Sequence, residues 1–198
     1  MTAIAATPQT LPRKGLDIAR VLKQAWRLFV DDIGPLIIGA LVACILTVLT
    51  LGILAGPLAA GLYGMVVGRV RDGRRPEVGD VFGQFHRFGA FFFAALVLVV
   101  LIGLASITIV GGILLATIWL YVFPLMVDKR MGLGEALGAS YRLVRENGFW
   151  EHLVLVVLFA IIGSIGGPAF LITLPFQITA TVAAYLLVDG REAELERV

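Results

Sequence analysis

Charge is what this sequence lacks over long distances. No Asp, Glu, Lys or Arg stands between Asp32 and Arg69, between Arg87 and Asp128, or between Glu151 and Asp189, which leaves three uncharged runs of 36 to 40 residues. Charged residues make up 15% of the chain and hydrophobic residues 59%, against roughly 25% and 45–50% in soluble domains. A water-soluble globule is excluded for want of polar surface. Within the runs there is also no Asp, Glu, Lys or Arg of the kind that marks proton relays and ion paths inside membranes. Cysteine is nearly absent, and the single thiol, Cys44, can form no intrachain disulfide. His86 and His152 have no Cys or His at ligand spacing, so interfacial polar roles are expected of them rather than a metal site. Nucleotide-binding GKS/T loops, GxSxG and HExxH are missing as well. The sequence thus offers no catalytic residue, no cofactor site and no metal site, and it reads as non-enzymatic.

What is present organises the uncharged runs. Each is about twice the ~20 residues that cross a hydrocarbon core of ~30 Å, and each is interrupted near its middle by Gly and Pro: LGILAGP at Leu51–Pro57, SITIVGG at Ser106–Gly112 and GSIGGPA at Gly163–Ala169. The pattern predicts six transmembrane helices, near 33–51, 54–70, 88–105, 110–128, 151–165 and 169–188. A short charged tag follows each pair: VRDGR at Val70–Arg74, VDKR at Val127–Arg130 and VDGR at Val188–Arg191.

The segments leading into the runs resemble one another. QAWRLFVDDIGPLII (Gln24–Ile38) and ASYRLVRENGFWEHL (Ala139–Leu153) set Trp26 against Tyr141, Arg27 against Arg142, Leu28 against Leu143 and Asp32 against Asn147; GQFHRFGAFFF is a weaker middle copy. These matches make an internal repeat. The expected fold is all-α: a polytopic membrane protein whose six transmembrane helices form three parallel helical-hairpin repeats, each preceded by an amphipathic interfacial segment. Repeat 1 covers about 16–73, repeat 2 about 77–130 and repeat 3 about 133–190. Together they form one membrane domain (15–190) between a disordered leader (1–14) and a charged cytoplasmic tail (191–198). The leader carries no basic segment followed by an apolar one, so the first span is expected to act as an uncleaved insertion signal.

In the first lead-in segment Ile18, Leu22, Ala25, Trp26 and Phe29 fall at helical spacing on one side, with Asp17, Arg20, Lys23 and Arg27 largely opposite. Val78, Val81, Phe82, Phe85 and Phe88 form the stripe in the second copy, and Leu133, Ala136, Leu137, Tyr141 and Val144 in the third. These stripes can face lipid or pack on the bundle's own helix ends. Trp26, Tyr141, Phe149 and Trp150 suit headgroup depth.

All sixteen Lys and Arg lie in the N-terminal segment, the two connectors and the C-terminal tail. The positive-inside rule then puts both termini and both connectors in the cytoplasm, the membrane being a cell inner membrane, and makes the repeats parallel rather than inverted. Arg69, Arg71, Arg74, Arg75, Lys129 and Arg130, with Trp26 and Tyr141, are the candidate contacts to anionic lipid headgroups or to a membrane or cytoplasmic protein partner. A nucleic-acid partner is not expected. Ala60, Gly64 and Gly68, with Gly61 beside them, offer a small-residue face for close helix approach, within the bundle or in a homo-oligomer. Gln177, two residues after Pro175, is expected to act as an interhelical hydrogen-bonding residue.

The connector RDGRRPEVGDVFGQF (Arg71–Phe85) and GEALGASYRLVREN (Gly134–Asn147), with Ala136, Ser140, Leu143 and Asn147 as the shared pattern, resemble a broad group of uncharacterised bacterial six-helix integral-membrane proteins. That group includes the membrane domain fused to some glycerophosphodiester phosphodiesterases. The resemblance covers roughly Leu16–Val188 and does not extend to a catalytic barrel domain, so it implies no enzyme activity. Two functions fit: a scaffold or regulatory, lipid-interacting module working through its cytoplasmic face, or a small channel or carrier for neutral or lipid-like solutes. The first is the expectation carried forward.

Overall fold

The computed structural model describes residues 15–164 and 166–197. The leader, expected to lack fixed structure, lies outside the described residues. Within them there is no strand. The helices are α1 (Ile18–Asp31), α2 (Ile33–Leu49), α3 (Ala55–Asp72), α4 (Phe88–Ala105), α5 (Ile109–Ile118), α6 (Val122–Asp128), α7 (Leu133–Glu146), α8 (Phe149–Gly163), α9 (Phe170–Val188) and the short α10 (Glu192–Glu196). Two 3-10 turns, Val78–Phe82 and Phe85–Arg87, lead into α4.

Among the described residues three stretches are long and apolar enough to cross a membrane: Val78–Ala105, Ile109–Asp128 and Phe170–Val188. The number rises to five if the bent pairs α1 with α2 and α7 with α8 each count as a span. α3 is 18 residues long, but Arg69, Arg71 and Asp72 charge its last turn, which keeps it outside that set.

The chain breaks where glycine and proline loosen it. α2 ends at Leu49 and α3 starts at Ala55, α4 and α5 are separated at Ser106–Thr108, and α8 ends at Gly163 ahead of α9 at Phe170. One further break was not expected: the helix predicted over 110–128 is interrupted between Ile118 and Val122. Pro124 explains it, because proline lacks an N–H and its ring crowds the carbonyl four residues earlier, that of Leu120. α7 repairs the gap. The Ser140 hydroxyl donates to the Ile118 carbonyl at 2.8 Å and accepts from the Tyr121 N–H at 3.1 Å, so two backbone groups freed by the break find partners.

Sharp bends separate two lead-in helices from the helices that follow them. α1 and α2 meet at 88°, α7 and α8 at 110°. At the second bend Gly148 has φ +95°, a conformation that glycine alone adopts without strain, and the Asn147 amide donates to the Leu143 carbonyl at 3.0 Å, satisfying the end of α7. The middle lead-in differs from the expected amphipathic helix. It is 3-10 turns, interrupted by Gly83, with the Asp80 carboxylate accepting from the Glu77 N–H at 2.9 Å.

α3, α6 and α9 each touch the other two. α2 packs between α3 and α9, α4 between α3 and α5, and α8 between α5 and α9. The lead-ins fill further positions: α1 lies along α9, the 3-10 turns along α3, and α7 along α6. One hydrophobic cluster runs through these contacts; Tyr121, Leu125, Met126, Ala183, Ala184 and Tyr185 are each at most 1% exposed. Of the expected apolar side of α1, Ala25 and Phe29 are buried, together with Val21, Gln24 and Leu28, Ile18 and Leu22 are half-buried and Trp26 is exposed, because α9 receives the helix on the neighbouring face.

Candidate functional site

The charged tags gather at one end of the bundle. Asp128, which ends α6, accepts a hydrogen bond from the Tyr185 hydroxyl of α9 at 2.7 Å and is ion-paired with Arg191 through the same oxygen. Arg191 also forks onto Glu194 of α10 at 2.9 and 2.7 Å. Lys129 meets Asp189 at 2.5 Å, with its ammonium 5.9 Å from the centre of the Tyr185 ring. The second and third tags are therefore tied together. Arg20 of α1 pairs with Glu192 and Glu196, fastening the first lead-in to the tail. The first tag reaches the second through a cavity of about 90 Å³ lined by Arg71, Gln84, His86, Arg87 and Arg130.

Most of the basic residues nominated for lipid contact are already paired. Arg69 turns inward: its Nε stands 2.8 Å from Asp32 Oδ2, with the two side chains 16% and 4% exposed. Neither atom completes a well-angled hydrogen bond among the described residues, so this is an ion pair without the directional fork. Arg69, nominated for headgroup contact, is thus paired with a buried carboxylate at the α1–α2 bend. Arg71 forks onto Asp72 at 3.0 and 3.1 Å, and its guanidinium holds the Asp72 carboxyl below the usual range. Arg74 pairs with Asp80 at 2.9 Å. Burial acts to raise the Asp80 carboxyl, but the Glu77 N–H and the Arg74 guanidinium outweigh it and leave the group below its ordinary value.

With Lys129 also paired, Arg75 and Arg130 are the nominated cations that make no ion pair with the described residues; both are exposed. Trp26 and Tyr141 are exposed as well, at 59% and 45%, and the Trp26 ring meets Phe176 of α9 edge-on.

The small-residue face works differently from its expectation. Ala60 is fully buried, but a Cβ on Gly68 would meet nothing within 4 Å, and one on Gly64 would first meet the Gln84 side chain at 3.3 Å. Close backbone approach is instead made by Gly61, against Val81 in the 3-10 turn, and by Gly56, against Phe91 of α4. The groove of α3 thus receives a lead-in turn at Gly61 where a spanning helix was expected. The Gln177 amide donates to the Phe159 carbonyl at 2.9 Å, linking α9 to α8.

His152, expected at the interface, is fully buried. Its ring is edge-on to Tyr121 at 5.4 Å, and Nδ1 donates to the Gly148 carbonyl at 2.6 Å. Arg87, Gln84 and His86 were not singled out as a site; the signal available was that Arg87 opens the second uncharged run. Away from the charged end, an apolar hollow of about 390 Å³ opens between α2, α3 and α9 beside Cys44, Leu58 and Leu174. Among the described residues no three His, Cys, Asp or Glu are grouped to hold a metal ion.

Comparison with known proteins returns no match among family models, curated proteins or solved structures.

Proposed function

We propose that this chain is a non-enzymatic inner-membrane module of six spans, built as three parallel hairpin repeats about a pseudo-threefold axis, which presents a basic cytoplasmic face to anionic lipid headgroups. The observation that carries the reading is the meeting of the three tags at one end: Asp128 with Arg191, Lys129 with Asp189, and Arg71 with Arg130 around one cavity. One crossing direction for all three hairpins accounts for that meeting. The packing order supports it too. Each outer helix (α2, α4, α8) lies between the inner helix of its own repeat and that of the preceding one, and each lead-in rests on the inner helix of the preceding repeat. Lead-ins set at 88° and 110° to the helices after them suit segments lying in the interface beside spans.

A channel or carrier is the second reading. The junction of α3, α6 and α9 counts against it, because Tyr121, Leu125, Met126 and Tyr185 fill the core there. Kinship with the uncharacterised bacterial membrane family, carried by Ala136, Ser140, Leu143 and Asn147, belongs to the same proposal.

The test is lipid enrichment around the protein in nanodiscs of mixed neutral and anionic lipid. A basic residue near an anionic surface contributes about 1 kcal/mol, so Arg74→Gln with Arg75→Gln is expected to lower the preference for anionic lipid about fivefold, Arg75 supplying most of the effect because Arg74 is already paired. Val and Leu in place of Thr179 and Gln177 are expected to leave it unchanged. An arginine variant with unaltered preference, combined with solute leak that depends on Gln177, would replace the module by transport.

A further inference from the structure

The cavity beside α3 is several times larger than the roughly 10–15 Å³ that one water requires, at about 90 Å³. Its lining brings together Arg71, Arg87 and Arg130 with the amide of Gln84 and the imidazole of His86, and it includes no carboxylate. Asp72, forked to Arg71, offsets one of the three charges and leaves two. Arg87 is held by neutral acceptors: Nη1 donates to the Met126 carbonyl at 2.6 Å and Nη2 to the Met131 carbonyl at 3.0 Å, with the Phe91 ring 5.2 Å away. Carbonyl oxygens and a ring face orient a guanidinium without cancelling its charge.

Arg130 supplies an independent sign. Its φ is +53°; in the tags after α3 and α9 the left-handed conformation is taken by glycines, Gly73 one place beyond α3 at +67° and Gly190 two places beyond α9 at +77°. Glycine adopts this conformation freely, whereas a side chain there is strained. The middle tag therefore keeps an arginine at a strained position, and that arginine lines the cavity. The floor stays open because Gly64 and Gly68 have no side chains, Gly68 facing empty space to 4 Å.

The geometry points to a binding site for a phosphate group, carried by a lipid headgroup or by a small soluble phosphate. Guanidinium forks match phosphate oxygens, and a phosphate monoester brings about −1.5 to −2 charges at neutral pH, which balances the two that remain. The lipid source rests on the membrane orientation proposed above; the phosphate chemistry does not.

The test uses the full chain in neutral detergent, with thermal unfolding followed by tryptophan fluorescence. One titration is sodium phosphate against acetate at equal ionic strength. The other is phosphatidic acid against diacylglycerol, which has the same tails without the phosphate. Arg130→Gly removes the cation and the strain together, so the fold is retained; Gly68→Leu fills the floor; Arg145→Gln removes an exposed cation of α7 outside the cavity. Wild type is expected to show saturable stabilisation by the phosphate-bearing probe, weakened at least about tenfold in Arg130→Gly by the loss of one charge-assisted hydrogen bond, weakened at least about as much in Gly68→Leu by occlusion, and unchanged in the third.

Response to both probes identifies a soluble phosphate as sufficient, and response to phosphatidic acid alone identifies a headgroup; each supports the site. Equal response to acetate or diacylglycerol, unchanged affinity in Arg130→Gly, or equal weakening in Arg145→Gln overturns it. Any of these would leave the nanodisc result for Arg74 and Arg75 standing, and failure of the nanodisc result would leave the phosphate titration standing.

Discussion

Replacing Gly61 by alanine adds one methyl group where α3 has no room for it. The new Cβ would stand 2.5 Å from the Val81 carbonyl carbon and 2.9 Å from its Cα, where ordinary contact begins at 3.4 Å. Both neighbours are backbone, so no rotamer change relieves the clash, and the 3-10 turn must retreat by about 1 Å. That turn is not free to move. Asp80 is bonded to the Glu77 N–H and to Arg74, and the fully buried Val81 side chain also rests against α2 at Gly39. Overpacking alone costs about 1–3 kcal/mol, and the partial loss of Val81 contacts brings the expected destabilisation to roughly 2–4 kcal/mol. Gly68→Ala is the matched reference: its methyl enters open space, and the gain in helix propensity is up to about 1 kcal/mol. Denaturant unfolding of the two variants in the same mild detergent should separate them by at least about 2 kcal/mol, Gly61→Ala being the weaker. Equal stabilities would refute the claim that the lead-in turn is seated on α3 through a glycine.

Removing Arg69 should strand the 4%-exposed Asp32 carboxylate; Arg69→Leu is expected to cost about 3–5 kcal/mol, and Asp32→Asn added to it should restore part of the loss, as a double-mutant unfolding cycle would register. Ser140→Ala leaves the Tyr121 N–H without its partner at the α5–α6 break, a loss of about 1–3 kcal/mol that hydrogen exchange should report as faster exchange at Tyr121. The Asp80 carboxyl lies below its reference value of 3.8 in the folded protein. Its contribution is therefore complete above that reference value and is lost as pH falls through the lower folded value. Acid titration should loosen the connector before the bundle unfolds, and Asp80→Asn should remove that pH dependence, both read by limited proteolysis between Arg74 and Phe85.

The interruptions of the uncharged runs were legible because glycine, proline and the absence of charge act locally: the breaks at Leu51–Pro57, Ser106–Gly112 and Gly163–Ala169 each separate two helices. Charge placement also indicated which residues share an end, since the second and third tags touch through Asp128 and Arg191. Side assignment was less legible. α1 is apolar toward α9 and apolar along Ile18, Leu22 and Trp26, and periodicity does not distinguish a face that meets protein from one that meets lipid. Partners distant in sequence were hidden for a different reason. Arg69 finds Asp32 and Ser140 finds Ile118 and Tyr121 only after bends and breaks have placed them. The same holds for the cavity, whose arginines come from α3, a 3-10 turn and the residue two places beyond α6.

The central claim is that every tag and connector lies on one side of the membrane, forming a single functional face. Single cysteines in a Cys44→Ser background test it with an impermeant thiol reagent applied to right-side-out and inverted vesicles. Exposed positions on unstrained backbone serve best: Arg75, Gly132 and Glu196 for the charged end, Ile107 and Gly166 for the hairpin turns. The account predicts that the first three label only from the cytoplasmic side and the last two only from the opposite side. Labelling of Arg75 and Ile107 from the same side would contradict it.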